Sequence, residues 1–201
     1  KYNMKVTIVY DNESYKENLI SDWGFSCLIE IENKPTILFD TGAKEEILKK
    51  NMEKLGIGLN RIKEVFISHN HWDHVGGLRG ILGNNPIKAY LPASCDQLDL
   101  EDSPVLNQIH DPEKIIRIDK PQKIHDDIFS TGELDNFEQS LVINTDKGLV
   151  VIMGCSHPGV GKILDTASQF GEVYGIIGGL HGFDNFERLR GLKLIAATHC
   201  T

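Results

Sequence analysis

His69-Asn70-His71-Trp72-Asp73-His74 places three imidazoles and one carboxylate within six residues. These are the side chains that hold zinc and related divalent ions. The stretch before it, Glu64-Val65-Phe66-Ile67-Ser68, has the β-branched and aromatic content of a buried strand. The stretch after it, Val75-Gly76-Gly77-Leu78, reads as a tight turn into a helix. The ligand types therefore fall on a loop at the carboxyl end of a strand, where α/β proteins build their sites.

Working outward, Lys5 to Tyr10, Phe25 to Ile31 and Thr36 to Asp40 read as strands. Ala43 to Leu55 carries Ile47, Leu48, Met52 and Leu55 at helical spacing and stops at Gly56. Ile87 to Leu91 is a short strand after the breaker Gly83-Asn84-Asn85-Pro86. Pro92 to Glu113 is polar and weakly patterned, so loop with one short helix is expected there. Strand signals return at 114–119, 127–130, 140–145 and 149–153, the last two joined by the turn Asp146-Lys147-Gly148. A helix over 160–170, a strand over 173–177, a short helix over 185–190 and a final strand over 192–197 complete the pattern. His69, His71, His74, His157, His181 and His199 all follow strand candidates, which predicts a shared edge where strand ends converge.

Several ligands per ion and an open position for water are needed for metal catalysis. His69 and His71 suit one ion, and Asp73 and His74 a second. His157 and His199 are the distant candidates that complete the two sets. Asp73 is also carried as a catalytic candidate. His181, between glycines, is a candidate for substrate binding or for proton donation to a leaving group, with a structural histidine as the alternative. Asp40 is read either as the partner that orients a ligand imidazole or, with Thr41, as a helix cap. Cys155 reads as a small residue in a tight loop rather than a soft ligand. His110 and His125 are taken as surface residues. Trp72 is expected to pack beneath its loop, and Trp23 to lie in the core or at the rim.

Bulk properties narrow the function. Two hundred and one residues suit one domain, and 40% apolar with 25% charged residues suits a folded chain. The formal charge of -8 disfavours a broad nucleic-acid surface. No run is long and apolar enough to cross a bilayer. Cys27, Cys95, Cys155 and Cys200 form no C-x-x-C pair and are read as reduced thiols of a cytoplasmic protein. A small-molecule substrate is expected, and the sequence gives no oligomeric state.

His69-x-His71-x-Asp73-His74 resembles the signature of the metallo-β-lactamase fold superfamily. The resemblance extends to Leu38-Phe39-Asp40-Thr41-Gly42, Gly154-Cys155-Ser156-His157, Gly178-Gly179-Leu180-His181-Gly182 and Thr198-His199-Cys200-Thr201. That set is most similar to the metal-dependent hydrolases related to an archaeal dihydropterin-ribofuranosylaminobenzene 5'-phosphate synthase. The resemblance implies an α/β fold, a four-layer αββα sandwich spanning 1–201, with a dinuclear site at one edge. Zinc, two ions, is the implied cofactor, with manganese or iron as alternatives. Water activated by metal would attack a small ester, lactone, thioester or phosphate ester. The alternative is a synthase-like transferase that displaces diphosphate.

Two departures stand out. Many hydrolases of the superfamily carry a histidine in a Gly-His-Thr-type loop and a bridging aspartate. Here Asp135-Asn136-Phe137-Glu138-Gln139-Ser140 has no histidine, and the later strand ends in Cys155-Ser156-His157. His157 is expected to fill a vacated role, with water alone as the bridge and Glu138 as a weaker candidate. The chain also stops at Thr201 where relatives continue, so it is either shortened or incomplete at its C-terminus.

Overall fold

The computed structural model describes residues 3–83, 86–95 and 114–201. Its strands form two six-stranded sheets. The first runs in the order β1 (Met4–Tyr10), β2 (Ser26–Ile31), β3 (Ile37–Phe39), β4 (Glu64–Phe66), β5 (Lys88–Pro92), β6 (Ile115–Ile118). The second runs β12 (Leu194–Thr198), β11 (Val173–Gly179), β10 (Gly148–Met153), β9 (Leu141–Thr145), β8 (Ile128–Ser130), β7 (Gln122–His125). Among the described residues the α-helices are α1 (Glu45–Lys54), α2 (Trp72–Val75), α3 (Leu78–Leu82) and α4 (Val160–Ala167).

Period-two patterning makes the layers. Side chains alternate across a strand, so Cys27 and Ile29, Phe39, Phe66, Val150 and Ile152 meet in a core between the sheets. The intervening residues Leu28, Leu38 and Val65 face the other way, against Leu48 and Met52 of α1 and Leu78 and Ile81 of α3. On the far side Leu149, Val151 and Met153 pack on Val160, Ile163 and Leu164 of α4. The result is the αββα sandwich. Among the described residues no helix is long and apolar enough to cross a membrane.

Strand direction assembles the site edge. β3 and β4 are parallel, as are β10, β11 and β12. Two successive antiparallel pairings bring β1 back to the direction of β3. The segments carrying Asp11 and Asn12, Asp40, His69 to His74, Cys155 to His157, His181 and His199 therefore all leave carboxyl ends of strands. Gln139 ties the sheets together there: its backbone N–H donates to Ser68 O at 2.9 Å and its side-chain amide to Ile67 O at 2.9 Å.

Three expectations need correcting. β7 was not legible, because Gln122-Lys123-Ile124-His125 offers one apolar residue and no alternation. His125 is not a free surface residue: it is half-buried, with Nε2 2.8 Å from the buried Glu64 carboxylate. Trp72 does not pack beneath its loop. It is 53% exposed, because α2 turns Asp73, His74 and Val75 inward and leaves its first residue facing solvent. His110 and most of the polar middle lie outside the described residues.

Candidate metal centre

Asp40 is the anchor of the site. It is fully buried and its backbone lies in the left-handed region, with φ of 54°, a conformation that persists only where surroundings impose it. One carboxylate oxygen accepts the Ser68 N–H at 2.7 Å. The other accepts the Ser68 hydroxyl at 2.6 Å and His74 Nδ1–H at 2.7 Å. Asp40 thus orients an imidazole and caps no helix. Thr41 is not a cap either; its hydroxyl donates to the His74 carbonyl at 2.9 Å. α1 starts after Lys44 without a side-chain cap.

These bonds fix the proton positions. His74 spends its N–H on Asp40, so its Nε2 is a bare lone pair when the ring is neutral. The Ser68 hydroxyl donates to Asp40, so its oxygen is left to accept His69 Nδ1–H at 2.8 Å. His69 Nε2 is bare in turn. Asn12 Oδ1 already accepts the Gly24 N–H at 2.9 Å and takes His199 Nδ1–H at 2.9 Å, while Asn12 Nδ2 donates to His199 O at 3.0 Å. In the tautomer with its proton on Nδ1, His199 Nε2 is therefore bare as well; a proton on Nε2 would donate to Asp73 Oδ2 instead.

These atoms face further potential metal donors. His74 Nε2 and His199 Nε2 are 3.2 Å apart, and His199 Nε2 is 3.2 Å from Asp73 Oδ2. His69 Nε2 is 3.2 Å from His71 Nδ1. His157 Nε2 is buried with no hydrogen-bond partner, and its ring centroid is 4.9 Å from those of both His69 and His71. Donor atoms of His69, His71 and His157 lie within 4.8 Å of one another, and so do those of Asp73, His74 and His199. Where both facing nitrogens are unprotonated their lone pairs repel, and a cation between them would satisfy both. The donor set, nitrogen-rich with a carboxylate, suits a borderline ion such as zinc.

The electrostatics agree. Burial, then the neighbouring imidazoles, holds His69 well below the usual histidine range. Burial and the His181 and His71 rings push His157 down to about 4. Both are neutral at pH 7, the form that binds metal. Burial opposes a charge on His74, yet the Asp40 carboxylate beside it wins and raises its pKa. Burial would raise Asp73, but the His199 bond and the His74 ring bring it down to about 2. Glu138 is pushed up to about 7 by burial, against the Ser156 and His157 N–H groups it accepts. It sits 3.4 Å from His69 Nδ1, the ring nitrogen turned away from His71, and so stands outside the donor cluster.

Several contacts around the site were not legible in the sequence. Cys155 is buried with Sγ 3.2 Å from His74 Nε2, and its sulfur groups with His69 and His74 within the same 4.8 Å. It stands between the two donor sets, where the sequence favoured a small residue in a tight loop over a soft ligand. Trp23 lies at the rim, 53% exposed, its indole N–H donating to Asp73 Oδ2 at 3.0 Å. Phe137 walls the first set, 5.0 Å from the His71 ring. Asn12 had no local signal, because its role exists only once β1 lies beside the loop after β12. His181 is exposed with φ of 47°, its ring 4.3 Å from that of His157, at the open side of the site.

A sequence model of the metallo-beta-lactamase superfamily matches residues 24–167, which include the whole His69–His74 motif. The chain belongs to that superfamily. It is 31% identical, over 99% of its length and 88% of the relative's, to the 7,8-dihydropterin-6-methyl-4-(beta-D-ribofuranosyl)-aminobenzene-5'-phosphate synthase of Methanocaldococcus jannaschii. Among solved structures it is similar to Tm1679, a metal-dependent hydrolase of the beta-lactamase superfamily, with a TM-score of 0.72, 27% identity and coverage of 99% and 89% of the two chains. A Bacillus thuringiensis AiiA variant with N-decanoyl-L-homoserine at its active site shares the metallo-beta-lactamase fold at a TM-score of 0.53 and 15% identity, over 97% and 92% of the chains.

Removing the anchor tests this geometry. Asp40→Ala strands the Ser68 N–H, the Ser68 hydroxyl and His74 Nδ1–H in a buried site. Each stranded donor costs about 1–3 kcal/mol, and loss of an orienting partner lowers metal affinity about 10–100-fold. Chelator competition and thermal unfolding of the purified variant check both effects; wild-type affinity would show that Asp40 does not set the imidazole.

Proposed function

We propose that this protein is a metal-dependent enzyme holding two divalent cations, zinc by donor chemistry. His69, His71 and His157 form one ligand set. Asp73, His74 and His199 form the other, and Cys155 Sγ lies between them. The observation that carries this reading is the convergence of imidazole nitrogens into two clusters, with the unpartnered, buried His157 Nε2 among them.

When bound, such a cation pair polarises a carbonyl or phosphoryl oxygen, acidifies water and offsets charge on a leaving group. The chain's own residues do the rest. Asp40, Ser68 and Asn12 hold three imidazoles in the tautomer that turns Nε2 inward. Asp73, kept ionised, adds the carboxylate donor and a proton acceptor on that side. His181, at the open side, is placed to donate a proton to a leaving group. Phe137 and Trp23 give the substrate apolar walls.

Hydrolysis of a small ester, lactone, thioester or phosphate ester is the first reading, supported by the open side at His181. A transferase displacing diphosphate is the second, favoured by the likeness to the archaeal synthase over nearly the whole chain. Metal analysis of purified protein, followed by a screen of phosphodiesters, lactones and thioesters beside a dihydropterin diphosphate with its aminobenzene acceptor, separates them. Two ions per chain, turnover lost on chelation and regained with zinc are expected. Turnover unaffected by exhaustive chelation would sink both readings.

A further inference from the structure

Cys200 takes no part in the two donor sets, yet its position beside them is built. Donor atoms of Cys155, His181 and Cys200 lie within 4.8 Å of one another. Cys200 Sγ is 3.7 Å from the Cys155 carbonyl oxygen. Gly179 opens the contact: a Cβ there would sit 2.7 Å from Cys200 Sγ and 3.3 Å from Cys155 Cα. Any side chain at Gly179 would wedge the two cysteines apart. Cys155 is buried, whereas Cys200 is half-buried and its neighbour His181 is exposed. Cys27 and Cys95 are buried elsewhere, in separate hydrophobic clusters.

We propose that Cys155 and Cys200 form an oxidation site, whose disulfide withdraws Cys155 Sγ from the metal-donor cluster. The inference rests on the proposed metal centre. Closing two sulfurs from within 4.8 Å to about 2 Å lies within the reach of side-chain rotation and small loop shifts. The oxidant is hydrogen peroxide. The Cys200 sulfur attacks the peroxide oxygen, the O–O bond breaks, and one water leaves with a sulfenic acid on Cys200. The Cys155 sulfur attacks that sulfenic sulfur, the S–O bond breaks, and a second water leaves with the disulfide formed. Two thiols lose two electrons and two protons, and the peroxide is reduced to water. Cys155 can then no longer act as a thiolate donor between the two imidazole sets, so metal affinity falls with oxidation.

The test uses zinc-loaded protein treated with hydrogen peroxide, with metal release followed by a chromophoric chelator and cross-links mapped by mass spectrometry without reductant. The expected result is a Cys155–Cys200 cross-link, zinc released in proportion to it, and recovery with dithiothreitol and zinc. Cys200→Ser and Cys200→Ala should keep basal turnover and zinc content while forming no cross-link and retaining zinc under the same treatment. A cross-linked protein that stays fully loaded overturns the proposal, as does oxidation that stops at Cys200 without pairing. Protein that binds no zinc at all is seen before any oxidant is added; it sinks the metal centre and this inference together.

Discussion

His71→Ala and Asp73→Ala are each expected to cut turnover on the best substrate by about 10²–10³-fold or more while leaving the chain folded. Each removes a donor from one of the two proposed ligand sets, and the loss corresponds to the several kcal/mol that a bound cation contributes to a transition state. Folding is expected to survive because neither side chain belongs to a hydrophobic cluster. Asp73→Ala should also lower occupancy at the His74–His199 side, since Asp73 Oδ2 lies 3.2 Å from His199 Nε2. His71→Ala should do so at the His69–His157 side. Steady-state kinetics with metal counts per chain read the two together. Undiminished turnover in both variants would remove metal from the reaction.

Gly76→Ala should be as damaging through the backbone alone. A Cβ on Gly76 would meet the Ala43 carbonyl oxygen at 1.9 Å and its carbon at 2.3 Å. Neither can rotate away. The closeness serves the site: Gly76 N–H donates to Gly42 O at 2.8 Å, and Thr41 N–H donates to His74 O at 2.7 Å. These bonds clamp α2 onto the turn after Asp40, so Asp73 and His74 are placed by backbone contact. One methyl group must push α2 off that turn. Overpacking against a rigid neighbour costs about 1–3 kcal/mol and occasionally more, and here the moving element carries two of the proposed donors. Thermal unfolding should show a lowered midpoint, and metal analysis should show the Asp73–His74–His199 side emptied first. A Gly76→Ala protein with wild-type stability and two ions would show that α2 tolerates displacement.

Most of the fold was legible because strand and helix signals are periodic and local. Leu149-Val150-Val151-Ile152-Met153 is an unbroken apolar run, which reads as a strand buried on both faces, and the structure sets Val150 and Ile152 toward one core and Leu149, Val151 and Met153 toward the other. The exception, β7, has no such alternation, and only its pairing with β8 makes it a strand. Trp72 was misjudged for the opposite reason: a large aromatic usually buries, but the geometry of a short helix had already committed its inward positions to Asp73, His74 and Val75.

The site divides along the same line. The sequence alone determined which residue types would gather, since six closely set residues with His69, His71, Asp73 and His74 admit few other purposes. It also placed Asp40, His157, His181 and His199 at strand ends. Only the tertiary structure decided which nitrogen each ring turns inward, and that Cys155 enters the cluster. Those facts depend on partners 34, 81, 125 and 187 residues apart. A linear pattern records what a residue can bind. The packing of two sheets at one edge records what it faces, and hydrogen bonds to Asp40, Ser68 and Asn12 then choose among proton positions that the sequence leaves equivalent.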